Sequence, residues 1–407
     1  MMLIVGFSIY GMPLFYNLWV SEFGWKRADI QLGNTMGKLI AGPLLGFFVG
    51  WVIDRKGSRG AMAAGVLFAA SGLFCFSFTH GLHWLYGCFL LAALGYLCAG
   101  PLPNQVLLSH WFTRYRGRVM GIAYVGIGVG GALVPWVVHL LNAHFHNDWR
   151  ETMRVLAGLY AVVLFSLLLI IRRRPSDLGL LPDGISADSG ATPPEHGSRI
   201  SLGRIFSTPA FWLLAVGSVM SIGAIGGVIQ NLPLFIADII PKPEIEITKT
   251  RIMSLVLFSS IAGRIAMGWL ADRFTKKYVM LVTYCIVGFA IPVLLLARSN
   301  PQLLYVFAVC FGFGLGADYM LIPLMAAECF GLAALSRVLG IIIMSDSIGE
   351  ATMPYLIAHI RDASGSYAAG FAILCGLAMI GAVAIASIRY RGGVPVSWLK
   401  LQDQNLR

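Results

Sequence analysis

Charge is what this chain has least of. Only 12% of its residues are Asp, Glu, Lys or Arg, against about a quarter in soluble domains, while 57% are hydrophobic and the mean hydropathy is +0.77. A soluble globule is excluded on that ground. Acidic residues are scarcer than basic ones, 19 against 30, for a net charge of +11. The basic residues are scattered over short loops and form no stripe or arm, so nucleic acid is not the expected partner. The seven cysteines, Cys75, Cys88, Cys98, Cys285, Cys310, Cys329 and Cys375, lie in apolar segments without a C-x-x-C pair. That pattern indicates neither a disulfide framework nor a zinc site and suits cysteines packed as small hydrophobes.

Other absences narrow the chemistry. No G-x-x-x-x-G-K-[ST] loop occurs, which leaves primary active transport without support. Gly126 to Gly131 follow no strand and lie in an apolar stretch, where small residues serve close helix packing rather than dinucleotide binding. His139, His144 and His146 have no acidic or cysteine partner at ligand spacing, so no metal is expected. No nucleophile, base and metal grouping stands at one depth, and the soluble segments amount to a short linker and tail. An intramembrane enzyme or a membrane sensor is therefore disfavoured, and no cofactor is called for.

Long apolar runs are what the chain does have. A helix crossing a hydrocarbon core of about 30 Å needs about 20 apolar residues. Twelve segments qualify, at approximately 2–20, 30–53, 61–79, 84–106, 119–141, 153–171, 209–236, 252–271, 278–297, 302–327, 338–360 and 367–388. The break from Arg172 to Thr208 opens with three arginines and runs on through Pro, Gly, Ser and Asp, the composition of a linker. The chain thus divides into an N-terminal six-helix half (1–171), a cytoplasmic linker (172–208), a C-terminal six-helix half (209–388) and a cytoplasmic tail (389–407), an all-α polytopic membrane protein. The first span lacks the charged lead and small-residue cleavage site of a signal peptide and reads as a membrane helix. With the N-terminus inside, 19 of the 30 basic residues fall on the cytoplasmic side and 9 outside. The positive-inside rule then puts both termini in the cytoplasm, and the plasma or inner membrane is the expected location.

The halves are related. Gly50-Trp51-Val52-Ile53-Asp54-Arg55 recurs as Gly268-Trp269-Leu270-Ala271-Asp272-Arg273, 272 − 54 = 218 residues on, each time at the end of an apolar stretch and before a short charged turn. Duplicated halves in a membrane protein point to transport by rocking one repeat against the other. Asp54, Arg55 and Arg59 in the first turn, and Asp272 and Arg273 in the second, stand at helix ends. There ion pairs and helix dipoles can close one side in one state and release it in another. Glu328 and Arg337 are the expected partners in the second half; topology signalling is the alternative.

Five ionisable residues fall inside spans: Lys38, Arg264, Asp318, Asp346 and Glu350. A charge at mid-helix costs roughly 2.5 to 3.5 kcal/mol on insertion scales, so a cavity or a paired interior is the expected setting. At about 1.5 Å per residue, Arg264, Asp318 and Asp346 lie about 12 to 15 Å from the cytoplasmic ends of their helices, near the midplane. Transporter sites lie there, and the three can face one another. Arg264 either binds a substrate carboxylate through its planar fork or forms a structural ion pair with an aspartate. Asp318 and Asp346 are either proton acceptors or permanent counter-ions. Lys38 either attracts substrate at an outer gate or snorkels to the interface. Glu350 sits one turn beyond Asp346. Tyr10, with Phe15, Tyr16 and Asn17, either lines the cavity or packs.

The twelve spans and the repeated G-x-x-x-D-R turn together resemble the major facilitator superfamily. Glu22 to Ala28, Trp111-Phe112 with Arg116-Gly117 and Gly121, Gly263-Arg264, and Tyr319 through Pro323 to Gly331 with Arg337 resemble its monocarboxylate and oxalate/formate branch. The resemblance implies that the arginine of span 8, here Arg264, binds the substrate carboxylate, and that the repeated turns gate. It has departures: Asp346 stands where oxalate/formate antiporters carry a lysine, which argues against a dianionic substrate. The Gly-Pro-x-x-Gly-Gly order of proton-coupled drug antiporters is also incomplete around Gly126 to Pro135. The expected function is secondary transport of a small organic anion of monocarboxylate type, by alternating access with proton symport. The expected partners are that anion, protons and the bilayer. Alternatives are a zwitterion, a larger aromatic acid, or anion exchange.

Overall fold

The computed structural model describes residues 2–40, 45–146, 148–184, 202–241, 244–391 and 394–395. In lipid a backbone polar group finds partners only within its own helix or a closed barrel, and the apolar runs fold accordingly. The helices are α1 (Met2–Phe23), α2 (Arg27–Ile40), α3 (Gly46–Lys56), α4 (Ser58–Phe76), α5 (Leu82–Trp111), α6 (Arg116–His144) and α7 (Trp149–Ile170). Further along the chain come α8 (Pro209–Ile239), α9 (Ile245–Arg273), α10 (Lys276–Ala297), α11 (Leu303–Phe330), α12 (Leu335–Ser364) and α13 (Ala368–Ala386). A two-residue antiparallel pair, Tyr390–Arg391 with Val394–Pro395, follows α13, so the tail is not wholly without strand.

Local chemistry sets the ends. Asp148 caps α7, its Oδ1 accepting from Arg150 N at 2.9 Å and Glu151 N at 3.4 Å, which satisfies donors the helix cannot. Gly24 ends α1 with φ 67°, a left-handed conformation natural to glycine. Pro13, which has no N–H to donate, lies where α1 passes through a π turn and a 3₁₀ turn over Phe7–Phe15.

Among the described residues, ten helical stretches are long and apolar enough to cross a membrane. α12 is not among them, because Arg337, Asp346 and Glu350 dilute its hydropathy, although it runs 30 residues. α2 and α3 together occupy the expected second span but flank residues outside the described set.

The chain forms two compact units. One comprises 1–113, 123–195 and 336–344; the other comprises 114–122, 196–335 and 345–407. The start of α12 therefore belongs with the first unit and the start of α6 with the second. In the first unit α4 packs on α5 and α7 around an aromatic core in which Trp19 stacks on Phe76, centroids 5.6 Å apart. In the second, α9 packs on α11 and α10 on α11 and α13, around Phe235, Phe307, Phe311 and Phe371.

Candidate functional site

The second unit holds the three mid-span charges in its interior. Arg264 on α9 is 8% exposed, Asp318 on α11 0% and Asp346 on α12 7%. α8 supplies their polar partners: Ser218 Oγ donates to Asp346 Oδ1 at 2.6 Å, and Ser221 Oγ donates to Asp318 Oδ2 at 2.6 Å. The serines are three residues apart on one helix face, so a single turn of α8 addresses both acids. The aspartates lie within electrostatic range of each other. Fully buried Tyr284 of α10 borders both. Its hydroxyl is directed at the Asp318 carboxylate, so Ser221 and Tyr284 address that acid from two helices.

Arg264 joins this level through helix register. α9 and α11 run parallel, and a Cβ at Gly312, Gly316 or Gly263 would collide with the carbonyl of Val256, Ser260 or Phe313 respectively. These approaches put Arg264 within about one turn of Asp318 and Tyr319. The Arg264 carbonyl in turn lies 2.5 Å from where a Cβ on Gly121 would stand, with Met320 Sδ 3.7 Å from the same point.

Sequence reasoning named the ionisable residues but missed Ser218, Ser221 and Tyr284. The spacing Ser218-x-x-Ser221 in an otherwise apolar span was the available signal for the first two; nothing marked Tyr284. The side chains of Lys38 and Tyr10 lie outside the described residues.

The repeated turns form a second constellation. Arg337 Nε donates to Asp54 Oδ2 at 2.6 Å, inside the first unit, with both side chains largely buried. Inside the second, Asp272 receives Gly117 N at 2.6 Å and Arg118 N at 3.0 Å, and Arg118 Nε stands 3.5 Å away. The carboxylate thus sits on the N-terminus of α6, where helix dipole and free N–H groups favour a negative charge. Glycine permits both approaches: a Cβ on Gly50 would strike the Ser336 carbonyl, and one on Gly268 would lie 2.6 Å from the Gly117 carbonyl.

Other expected gate residues have different partners. Arg55 lies over the Trp51 ring at 4.2 Å and Arg273 over Trp269 at 3.9 Å, so each repeat stacks its arginine on its own helix. Arg59 reaches the Leu168 carbonyl at the end of α7. Glu328 accepts from Lys276 Nζ at 2.7 Å and Tyr390 Oη at 2.6 Å, so it ties α11 to α10 and the tail.

Long apolar helices, a duplicated charged turn and buried charges at mid-span define a polytopic helical membrane protein with an internal polar site. The chain belongs to the major facilitator superfamily, whose model matches residues 1–240 and 236–404, and it is accordingly a membrane transporter and not an enzyme. It is 29% identical to monocarboxylate transporter 12 of Rattus norvegicus, over 81% of this chain and 71% of the relative. It is 26% identical to the riboflavin transporter RibJ of Trypanosoma cruzi, over 82% and 78%. The crystal structure of the E. coli fucose:proton symporter superimposes with a TM-score of 0.68 at 13% identity, covering 96% of this chain and 98% of that one, a likeness of fold.

Proposed function

We propose that this protein is a secondary active transporter for a small organic anion bearing one carboxylate, moved with a proton by alternating access. Arg264 anchors the carboxylate. The observation that carries the reading is a guanidinium buried at mid-span: it offers two parallel donors that match a carboxylate, in a setting where an arginine without such a use is costly. The name of the rat relative favours the same substrate class. Asp346, Asp318 or both carry the coupled proton, since both lie at the level of Arg264 and are held by neutral serine hydroxyls.

Gating falls to the repeated turns: Asp54 with Arg337, and Asp272 with the α6 N-terminus, hold one conformational state and part in another. Arg55, Arg59, Arg273 and Glu328 brace those ends. Lys38 and Tyr10 contribute to the substrate path. Both termini face the cytoplasm and the protein resides in the plasma or inner membrane.

The test is uptake of labelled short-chain and aromatic monocarboxylates, and of riboflavin, into vesicles carrying the purified protein. Acid uptake accelerated by an inward proton gradient is expected. Uptake indifferent to that gradient and driven by sodium or counter-substrate overturns the coupling. Uptake of riboflavin alone overturns the carboxylate reading in favour of a larger aromatic substrate, which the name of the Trypanosoma relative favours.

A further inference from the structure

Glu350 is the mid-span charge for which a carboxylate substrate provides no role. It stands one turn from Asp346 on α12 and is exposed, whereas Asp346 is buried. Its direction on the helix is informative. The outward stripe of α12 is Ile348, Thr352 and Tyr355, with Ile348 47% and Tyr355 76% exposed. Glu350 is rotated from Ile348 by about 200°. It belongs to the packed face instead: a Cβ on Gly226 of α8 would lie 3.3 Å from Glu350 Cγ, and one on Gly223 would lie 3.0 Å from Met353 Cγ. A carboxylate exposed on the face turned to α8 and α11 opens to water and not to lipid, where it would be costly.

Its partner there is a hydroxyl. Tyr319 Oη donates to Glu350 Oε2 at 3.4 Å, longer than the usual 2.7 to 2.8 Å or so for such a bond, so the contact does not saturate the carboxylate. Among the described residues Glu350 makes no ion pair with a cationic side chain. Tyr319 is also the residue that the α9/α11 register brings within about one turn of Arg264. Glu350 thus stands one turn of α12 beyond the level of Arg264 and Asp346, with the Tyr319 hydroxyl at its carboxylate.

We propose that Glu350 and Tyr319 form a second substrate subsite that accepts a protonated amine. Among acids bearing one carboxylate, those that also carry an amine are then preferred, the carboxylate on Arg264 and the ammonium on Glu350. This rests on the carboxylate reading of Arg264. An ammonium offers three donors, and Glu350 supplies charge-assisted acceptors with room beside the Tyr319 hydroxyl.

The experiment is a thermal-shift titration of the purified full-length protein with paired acids of increasing length: propionate and 3-aminopropionate, butyrate and 4-aminobutyrate, pentanoate and 5-aminopentanoate. At one spacing the aminated acid is expected to bind about tenfold tighter than its parent, or better. Glu350→Gln should erase that preference while leaving the parent acid's affinity within about twofold, which also verifies folding. Tyr319→Phe should reduce the preference about threefold. If parent acids bind and the amine adds nothing at any spacing, the subsite is refuted and the Arg264 anchor stands. A preference that survives Glu350→Gln refutes it too. If no acid of either series stabilises the protein, the anchor and the subsite fall together.

Discussion

Arg337 and Asp54 meet at 2.6 Å in the first unit, and Arg118 and Asp272 meet in the second at 3.5 Å, with two backbone N–H groups added. The acids are the same position of the repeat, and each arginine lies near the start of a long helix. The Arg337 side chain donates to the first acid, and the second receives two backbone N–H groups at a helix N-terminus.

Asp54→Asn is expected to slow transport several-fold while leaving equilibrium substrate affinity within a few fold, because a gate biases conformations without touching the ligand. Initial uptake rates together with binding titrations check this. Complete loss of binding in a folded mutant would argue against a gating role.

Asp272→Asn should be milder in one respect. Gly117 N and Arg118 N donate to different oxygens of the carboxylate, so the single amide oxygen of Asn keeps one of the two bonds while the other and the charge term, the latter about 0.3 to 1 kcal/mol, are lost. Asp272→Ala removes the cap as well and should cost about 1 to 2 kcal/mol. Melting temperatures of the two variants should rank in that order.

Gly268→Ala forces a methyl group against the Gly117 carbonyl, backbone against backbone. Overpacking of this kind costs typically about 1 to 3 kcal/mol, so a lowered melting temperature and impaired transport are expected. An unchanged melting temperature and rate would show that the approach is not tight.

Arg264→Lys should weaken substrate binding about tenfold or more, since an ammonium is a point charge and not a planar fork. Arg264→Ala should abolish binding. Adding Asp346→Asn to Arg264→Ala separates the roles: recovered stability without recovered transport is expected of an anchor. Recovered transport would make Arg264 a counter-ion.

Ser218→Ala and Ser221→Ala each leave one buried carboxylate oxygen without its donor, at an expected cost of about 1 to 3 kcal/mol. Both should lower the melting temperature and alter the pH dependence of uptake. A variant with an unchanged profile removes its aspartate from the coupling step.

The spans, the repeat and the identity of the charged residues could all be read along the chain. A bilayer leaves the backbone one local solution, so apolar length translates directly into helices, and a charge inside a span announces itself by its cost. Partnership could not be read that way. Asp346 and Asp318 look like partners of Arg264 in sequence, and nothing along the chain announces that serines on α8, 128 and 97 residues distant, donate to their oxygens. Arg55 and Arg273 look like gate charges but lie on their own tryptophans, and Arg337 meets Asp54 across 283 residues. These choices depend on how each helix is rotated about its axis and how closely glycines let the backbones approach. Hydropathy carries neither quantity; only packing among the helices decides them.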